Sequence, residues 1–263
     1  MEPLGGTTFP PVGRCIYCGS TDGLDKEHIV PFSLGGRLVL PKASCRPCAD
    51  ITKKFEQTCA RTIFGALRIR LGLPTNNPEQ RPDEIFTDIL QRDGTLKPFK
   101  VPAAKFPAIC IGAFFPSPGI LTGKEPTNVL TIRPFMKRYG DEAEQLVKQY
   151  GDGIRLQRID WVSFCALLAK IAHGYTVSQI GLHAFTHFLP NLILGKSDKW
   201  PHFIGGDLDP LDRPEPLGAP PFKLHELILR KIEGSPYLFV TIKLFRFLGM
   251  PRYHVVVGND LRT

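Results

Sequence analysis

The chain has 263 residues, 43% of them apolar, and 33 Lys and Arg against 25 Asp and Glu give a formal charge of +8. That apolar content excludes a disordered chain and supplies a core for one large or two ordinary domains, while the basic balance suits a polyanionic partner such as nucleic acid. Seven cysteines, an odd number, point to a reducing compartment and so to the cytoplasm, and no stretch reaches the roughly 18–20 uninterrupted apolar residues of a membrane span.

Residues 1–13 are rich in Gly, Pro and Thr, with no signal-peptide pattern, and read as a lead-in. Then come Cys15-Ile-Tyr-Cys18 and Cys45-Arg-Pro-Cys48. A lone Cys-x-x-Cys would leave redox chemistry open. Two such pairs form a four-thiolate clamp for structural Zn2+, because each two-residue spacer lets a tight turn bring both sulfurs to one metal at about 2.3 Å. The segment between the pairs carries Glu27-His28-Ile-Val-Pro31 and Gly35-Gly36, the latter suited to a hairpin turn.

From Asp50 an apolar residue recurs every fourth position, at Ile51, Phe55, Cys59, Ile63 and Leu67, with Lys53, Lys54, Arg61, Arg68 and Arg70 on the other faces. This predicts one basic helix from Cys48 or Asp50 to near Gly72, with Asp50 suited to cap it. Pro74 to Pro82 holds three prolines and no periodicity, so a boundary at about residue 75 separates a domain of residues 1–75 from one of residues 76–263. Beyond it the pattern is α+β. Strands are expected at 106–115 and 128–135, a helix at 141–150 and a longer helix at 161–173. A second helix at 182–194 is interrupted by Pro190, a loop runs from Gly205 through Pro221, and a hairpin joins 237–247 to 252–257. His183 and His187 would share a helical face, but no acid lies near to complete a metal site, so satisfied buried histidines are the simpler reading. Lys170-Ile-Ala-His173-Gly-Tyr175 could position a polar group in a cleft.

Cys15 to Gly19, Glu27 to Pro31, Ser33 to Gly36 and Cys45 to Cys48 together resemble the zinc-ribbon, four-cysteine branch of the HNH endonucleases over the first 60 to 70 residues. The resemblance implies an α+β protein with a small zinc-bound ββα-metal module followed by a larger α+β domain, which would supply specificity, dimerisation or sensing. It also implies metal-dependent hydrolysis of DNA, with RNA a further substrate class. In this reading His28 is the general base and Glu27 holds a catalytic Mg2+ or Mn2+, since imidazole titrates near neutrality and Mg2+ prefers hard oxygen ligands.

Two family positions differ. The Asn or His that usually follows the last cysteine and binds the catalytic metal is Ala49, and Leu40 to Ser44 offers no Asn to orient the base. Asp50 is one candidate replacement. Glu56 is another, because positions 49, 52, 53 and 56 share a helical face and Glu56 lies ~10 Å along the axis from 49. Lys42, Lys53, Lys54 and Arg61 are the expected phosphate contacts. The alternative is a zinc module that has lost catalysis and binds nucleic acid or protein.

Overall fold

The computed structural model describes residues 6–139, 144, 145, 148, 153, 154, 158–207 and 224–262. Strand β1 (Thr7–Thr8) runs parallel to β3 (Leu38–Cys45), which pairs antiparallel with β2 (Leu24–His28). Between the pairs Asp25↔Ser44 and Glu27↔Leu40, β2 advances two residues and β3 four, so β3 bulges around Lys42, whose φ is 49°. Such a bulge bends the hairpin just where Glu27 and His28 leave it. In the connection, Gly35 at φ 83° closes a turn over Phe32–Leu34, and a Cβ on Gly36 would lie 1.8 Å from the Val30 carbonyl oxygen. The glycine pair is therefore a steric requirement of this turn.

Helix α1 (Arg46–Thr62) follows β3 at once, with extended Cys45 as its N-cap residue and Pro47 in its first turn. It starts ahead of Asp50, which is an interior helical residue and not the cap. It also ends sooner than the four-residue pattern suggests. Ile63 and Phe64 both donate to the Cys59 carbonyl, and the chain resumes as α2 (Gly65–Arg70). The break lets the Phe64 ring, fully buried, pack against Phe164 and Phe245 at centroid distances of 6.3 and 5.3 Å. Burial of this ring outweighs the continuation of one helix.

After the proline-rich stretch come β4 (Glu84–Leu90) and β5 (Leu96–Pro102), a hairpin with no strong sequence signal, then β6 (Ala108–Phe114) and β7 (Arg133–Tyr139) as a second hairpin. The strand expected at 128–135 is displaced towards the C-terminus because pairing Ala108↔Tyr139 through Phe114↔Arg133 sets its register. A short β8 (Gly153–Ile154) joins β4. The helix expected at 141–150 lies mostly outside the described residues.

Helix α3 (Trp161–Ile180) is the central strut, capped by Asp160, whose carboxylate accepts from the Ser163 N–H at 3.1 Å. It is apolar on nearly every side and correspondingly buried from Phe164 through Gly174, as an all-round hydrophobic helix must be. One side meets α1; the other packs on an antiparallel sheet of order β10-β11-β12-β9, from β9 (Ile204–Gly206), β10 (His225–Lys231), β11 (Tyr237–Leu244) and β12 (Tyr253–Asn259). Gly205 and Gly206 are thus buried strand residues rather than the start of a loop, and 208–221 lies outside the described residues.

The expected helix at 182–194 is reduced to one turn, Pro190–Ile193. Residues 184–188 instead run extended beside the end of β12, with Thr186 donating to the Asn259 carbonyl and Phe188 to that of Val257. An edge carbonyl row offered partners that local propensity did not foresee. His183 and His187 therefore share no helical face. Residues from both sides of position 75 share one apolar core, and among the described residues no helix is long and apolar enough to cross a membrane.

Two histidines tie this larger part to the N-terminal module, at the Cys15–Cys18 turn and at the β2–β3 connection. His173 donates from Nε2 to the Ile16 carbonyl at 2.7 Å, and His225 donates to Leu34 at 2.8 Å while its Nδ1 accepts the Phe245 N–H. Burial pushes both down to about 4. The folded state thus holds them neutral where the unfolded chain takes a proton, so their stabilisation is present above pH 6.5 and lost as pH falls towards 4. For fully buried His173 the loss is on the order of 3 kcal/mol. Urea unfolding between pH 7.5 and 4.5 should show this slope, and His173→Gln should flatten it.

Candidate active site

The first centre is built by three backbone elements. Cys15 and Cys18 sit on a tight turn, in which Cys15 donates to Ser20 at 2.7 Å and Gly19 to Cys15 at 2.9 Å; Cys45 ends β3 and Cys48 lies in the first turn of α1. The four Sγ atoms lie within 4.8 Å of one another, with Cys18 and Cys45 at 3.5 Å. A tetrahedral zinc with bonds of about 2.3 Å requires sulfur separations of about 3.8 Å, so the set fits zinc. Among the described residues it is the cluster with metal-ligand geometry.

The second centre lies where β2 leaves the hairpin. A cleft of about 960 Å³ is floored by Glu27, His28 and Lys170 and walled by one face of α1 (Ala49, Thr52, Lys53, Glu56, Gln57, Ala60). The basic side chains Lys26, Lys53, Arg61, Arg68 and Arg81 also line it. Arg81 comes from the proline-rich stretch and donates to the Leu73 carbonyl; Arg68 donates from Nε to the Ser33 carbonyl at 2.6 Å. His28 is half-buried, its ring 5.7 Å from that of Phe32. Burial, then the ammonium groups of Lys170 and Lys26, hold its imidazole below the ordinary histidine range against the opposing charge of Glu27. It is therefore neutral at physiological pH and able to accept a proton.

The residue that organises this floor is Lys170, on α3. Its side chain is 1% exposed, and its Nζ lies 2.7 Å from Glu27 Oε1 and 2.9 Å from Glu56 Oε1 while also donating to the His28 carbonyl. The Ile29 carbonyl, at 3.3 Å, is a fourth acceptor, so the three N–H donors of the ammonium are fully engaged. Burial opposes the charged ammonium, but the two carboxylates outweigh it and keep Lys170 above the usual lysine range. Burial pushes the Glu56 carboxyl upward against the pull of Lys170. The buried Tyr17 hydroxyl, with no hydrogen-bond partner among the described residues, is raised by desolvation and then by the charges of Glu27 and Glu56.

Of the residues singled out from sequence, His28, Glu27, Glu56, Lys53 and Arg61 meet in this cleft. Asp50 does not: its carboxylate pairs with Arg46 at 3.6 Å on the exposed side of α1. Lys42, on the bulge, and Lys54, on the outer helix face, are exposed and outside the cleft lining. Lys170, Arg68 and Arg81 complete the site. The signal for Lys170 was a charged residue inside the apolar run Phe164–Ala172, since a buried lysine needs an acidic partner.

A catalytic Mg2+ or Mn2+ does not fit this donor set. Position 49 offers no side-chain oxygen, and Glu27 and Glu56 each give an oxygen to a buried ammonium that a divalent cation would have to displace or face at close range.

Residues 15–62 match the family model described as HNH endonuclease, so the module that carries the four cysteines, Glu27, His28 and Glu56 is of HNH type. No curated protein and no solved structure matches the chain.

Removing one partner of a buried ion pair leaves an uncompensated charge, so Lys170→Met should cost ~3–5 kcal/mol, whereas Lys54→Met on the open helix face should change stability by less than about 0.5 kcal/mol. Denaturant unfolding at equal zinc content measures both. Stripping zinc with a strong chelator should collapse the NMR amide dispersion of residues 15–62, and added Zn2+ should restore it.

Proposed function

We propose that the protein is a nuclease of HNH type acting on DNA phosphodiester bonds, with His28 as general base. The observation that carries this reading is the half-buried His28 imidazole on the floor of a cleft lined by six Lys and Arg side chains. In the proposed step a water oxygen bonds to phosphorus, its proton passes to His28, and the bond to the leaving sugar oxygen breaks, that oxygen taking a proton from solvent. Lys53, Arg61 and Arg81 offset the negative charge spread over the phosphate oxygens, and Arg, with its planar fork, suits that task. Structural Zn2+ folds the module and takes no part in the step. The residues after about 75, proposed as a second domain, supply α3 and one wall of the cleft, where specificity for a DNA structure would reside. Seven cysteines without a disulfide support residence in the cytoplasm.

A second reading is a module that binds nucleic acid without cutting it. Ala49 and the engagement of both carboxylates by Lys170 favour it.

Nicking of supercoiled plasmid separates the two. The nuclease reading expects cleavage by zinc-loaded wild type that falls at least ~100-fold in His28→Ala, and the acid limb of the rate profile should lie below pH 6.5 because His28 is held below its ordinary value. Salt-sensitive binding with no cleavage in either protein would select the second reading. Under both, Arg61→Ala and Arg81→Ala should weaken binding across sequences and each reduce the salt slope by about 1, measured by fluorescence anisotropy.

A further inference from the structure

The geometry points to Lys170 as the resident cation of this site, its ammonium standing where the two carboxylates would otherwise hold a divalent metal. The inference rests on reading the cleft as a phosphate-handling site, but not on whether that phosphate is cut.

Glu27 and Glu56 approach from different elements, β2 and α1, and converge on one point with oxygens 2.7 and 2.9 Å from the Lys170 nitrogen. Converging carboxylates of that kind would repel each other and any incoming phosphate unless a cation lay between them. In this chain the cation is covalently part of α3. It is 1% exposed and its remaining donor is shared between the backbone carbonyls of His28 and Ile29, so it also holds the strand end that presents the base. A divalent ion entering here would strip a buried ammonium of its partners, a loss far costlier than exchange of surface ligands. Ala49 at the vacated ligand position agrees with this, since a fixed ammonium needs no further oxygen there. Lys170 is thus a positioning residue: it neutralises the floor, orients Glu27 and Glu56, and fixes the His28 backbone. Binding of phosphate in the cleft, and any proton transfer at His28, then proceed with no divalent ion between these carboxylates.

The test is a Mn2+ titration of full-length, zinc-loaded protein followed by electron paramagnetic resonance, in which bound Mn2+ loses the free-ion signal. Wild type, Glu27→Gln, Lys170→Ala and the double variant are compared. Wild type is expected to take up no Mn2+ that Glu27→Gln removes, whereas Lys170→Ala gains a Mn2+ site that the double variant loses. A wild-type Mn2+ site abolished by Glu27→Gln would overturn the inference, as would a folded Lys170→Ala protein with no gain. If Lys170→Ala does not fold, Lys170→Arg replaces it and must stay free of Mn2+ like wild type; Mn2+ uptake by it that Glu27→Gln removes would count against the inference. Plasmid nicking by wild type in buffer without Mg2+ or Mn2+ is read beside the titration. Absence of nicking with an unchanged Mn2+ result strikes the nuclease reading and leaves the resident cation standing.

Discussion

A lysine ammonium buried against two glutamates is the contact around which this molecule is organised. Taking three charges out of water costs several kcal/mol each, and the cost is offset only because every N–H of Lys170 meets an acceptor at hydrogen-bonding distance. Those acceptors belong to β2 and α1, and the lysine belongs to α3, so satisfying it fixes the relative placement of three elements far apart in sequence. His173 and His225 repeat the device on neighbouring carbonyls, at Ile16 and Leu34. The larger part of the chain thus holds the small zinc module by its backbone, through buried donors that have few alternative partners.

The same constraint shapes the cleft. With Glu27 and Glu56 tied down at its floor, the surface left to a ligand is basic, from Lys26 on the hairpin to Arg61 on α1, Arg68 on α2 and Arg81 on the proline-rich stretch. Helix geometry sorts the α1 charges. Ala49, Thr52, Lys53, Glu56 and Ala60 share the inward face at i, i+3, i+4 spacing, while Asp50 and Lys54 fall outside it. The four-cysteine cluster and the lysine divide the labour: the cysteines gather the turn, and the ammonium closes the floor.

The four-cysteine clamp, the glycine turn, the basic face of α1 and the adjacency of Glu27 and His28 were legible in the sequence because each depends on local spacing. Two residues between cysteines, a helical period and an acid beside a histidine act over a few positions, where the backbone leaves few choices. The β11–β12 hairpin was legible for the same reason. What sequence reasoning missed was decided at long range. The break at Phe64 answers to aromatic rings from α3 and from beyond β11, the register of β7 to its partner β6, and the extended run of 184–188 to the edge of β12.

Lys170 marks the division most clearly. From the sequence alone it was a polar residue in an apolar helix, which requires an acidic partner but does not name one. Position 170 lies more than a hundred residues from Glu27 and Glu56, so no periodicity links them, and only tertiary packing brings α3 across the hairpin. The sequence by itself determined a four-cysteine cluster fit for zinc in a module with a histidine in its hairpin. The tertiary structure alone decided which cation lies beside that histidine, because a buried charge takes its partner from whatever the fold places within hydrogen-bond reach.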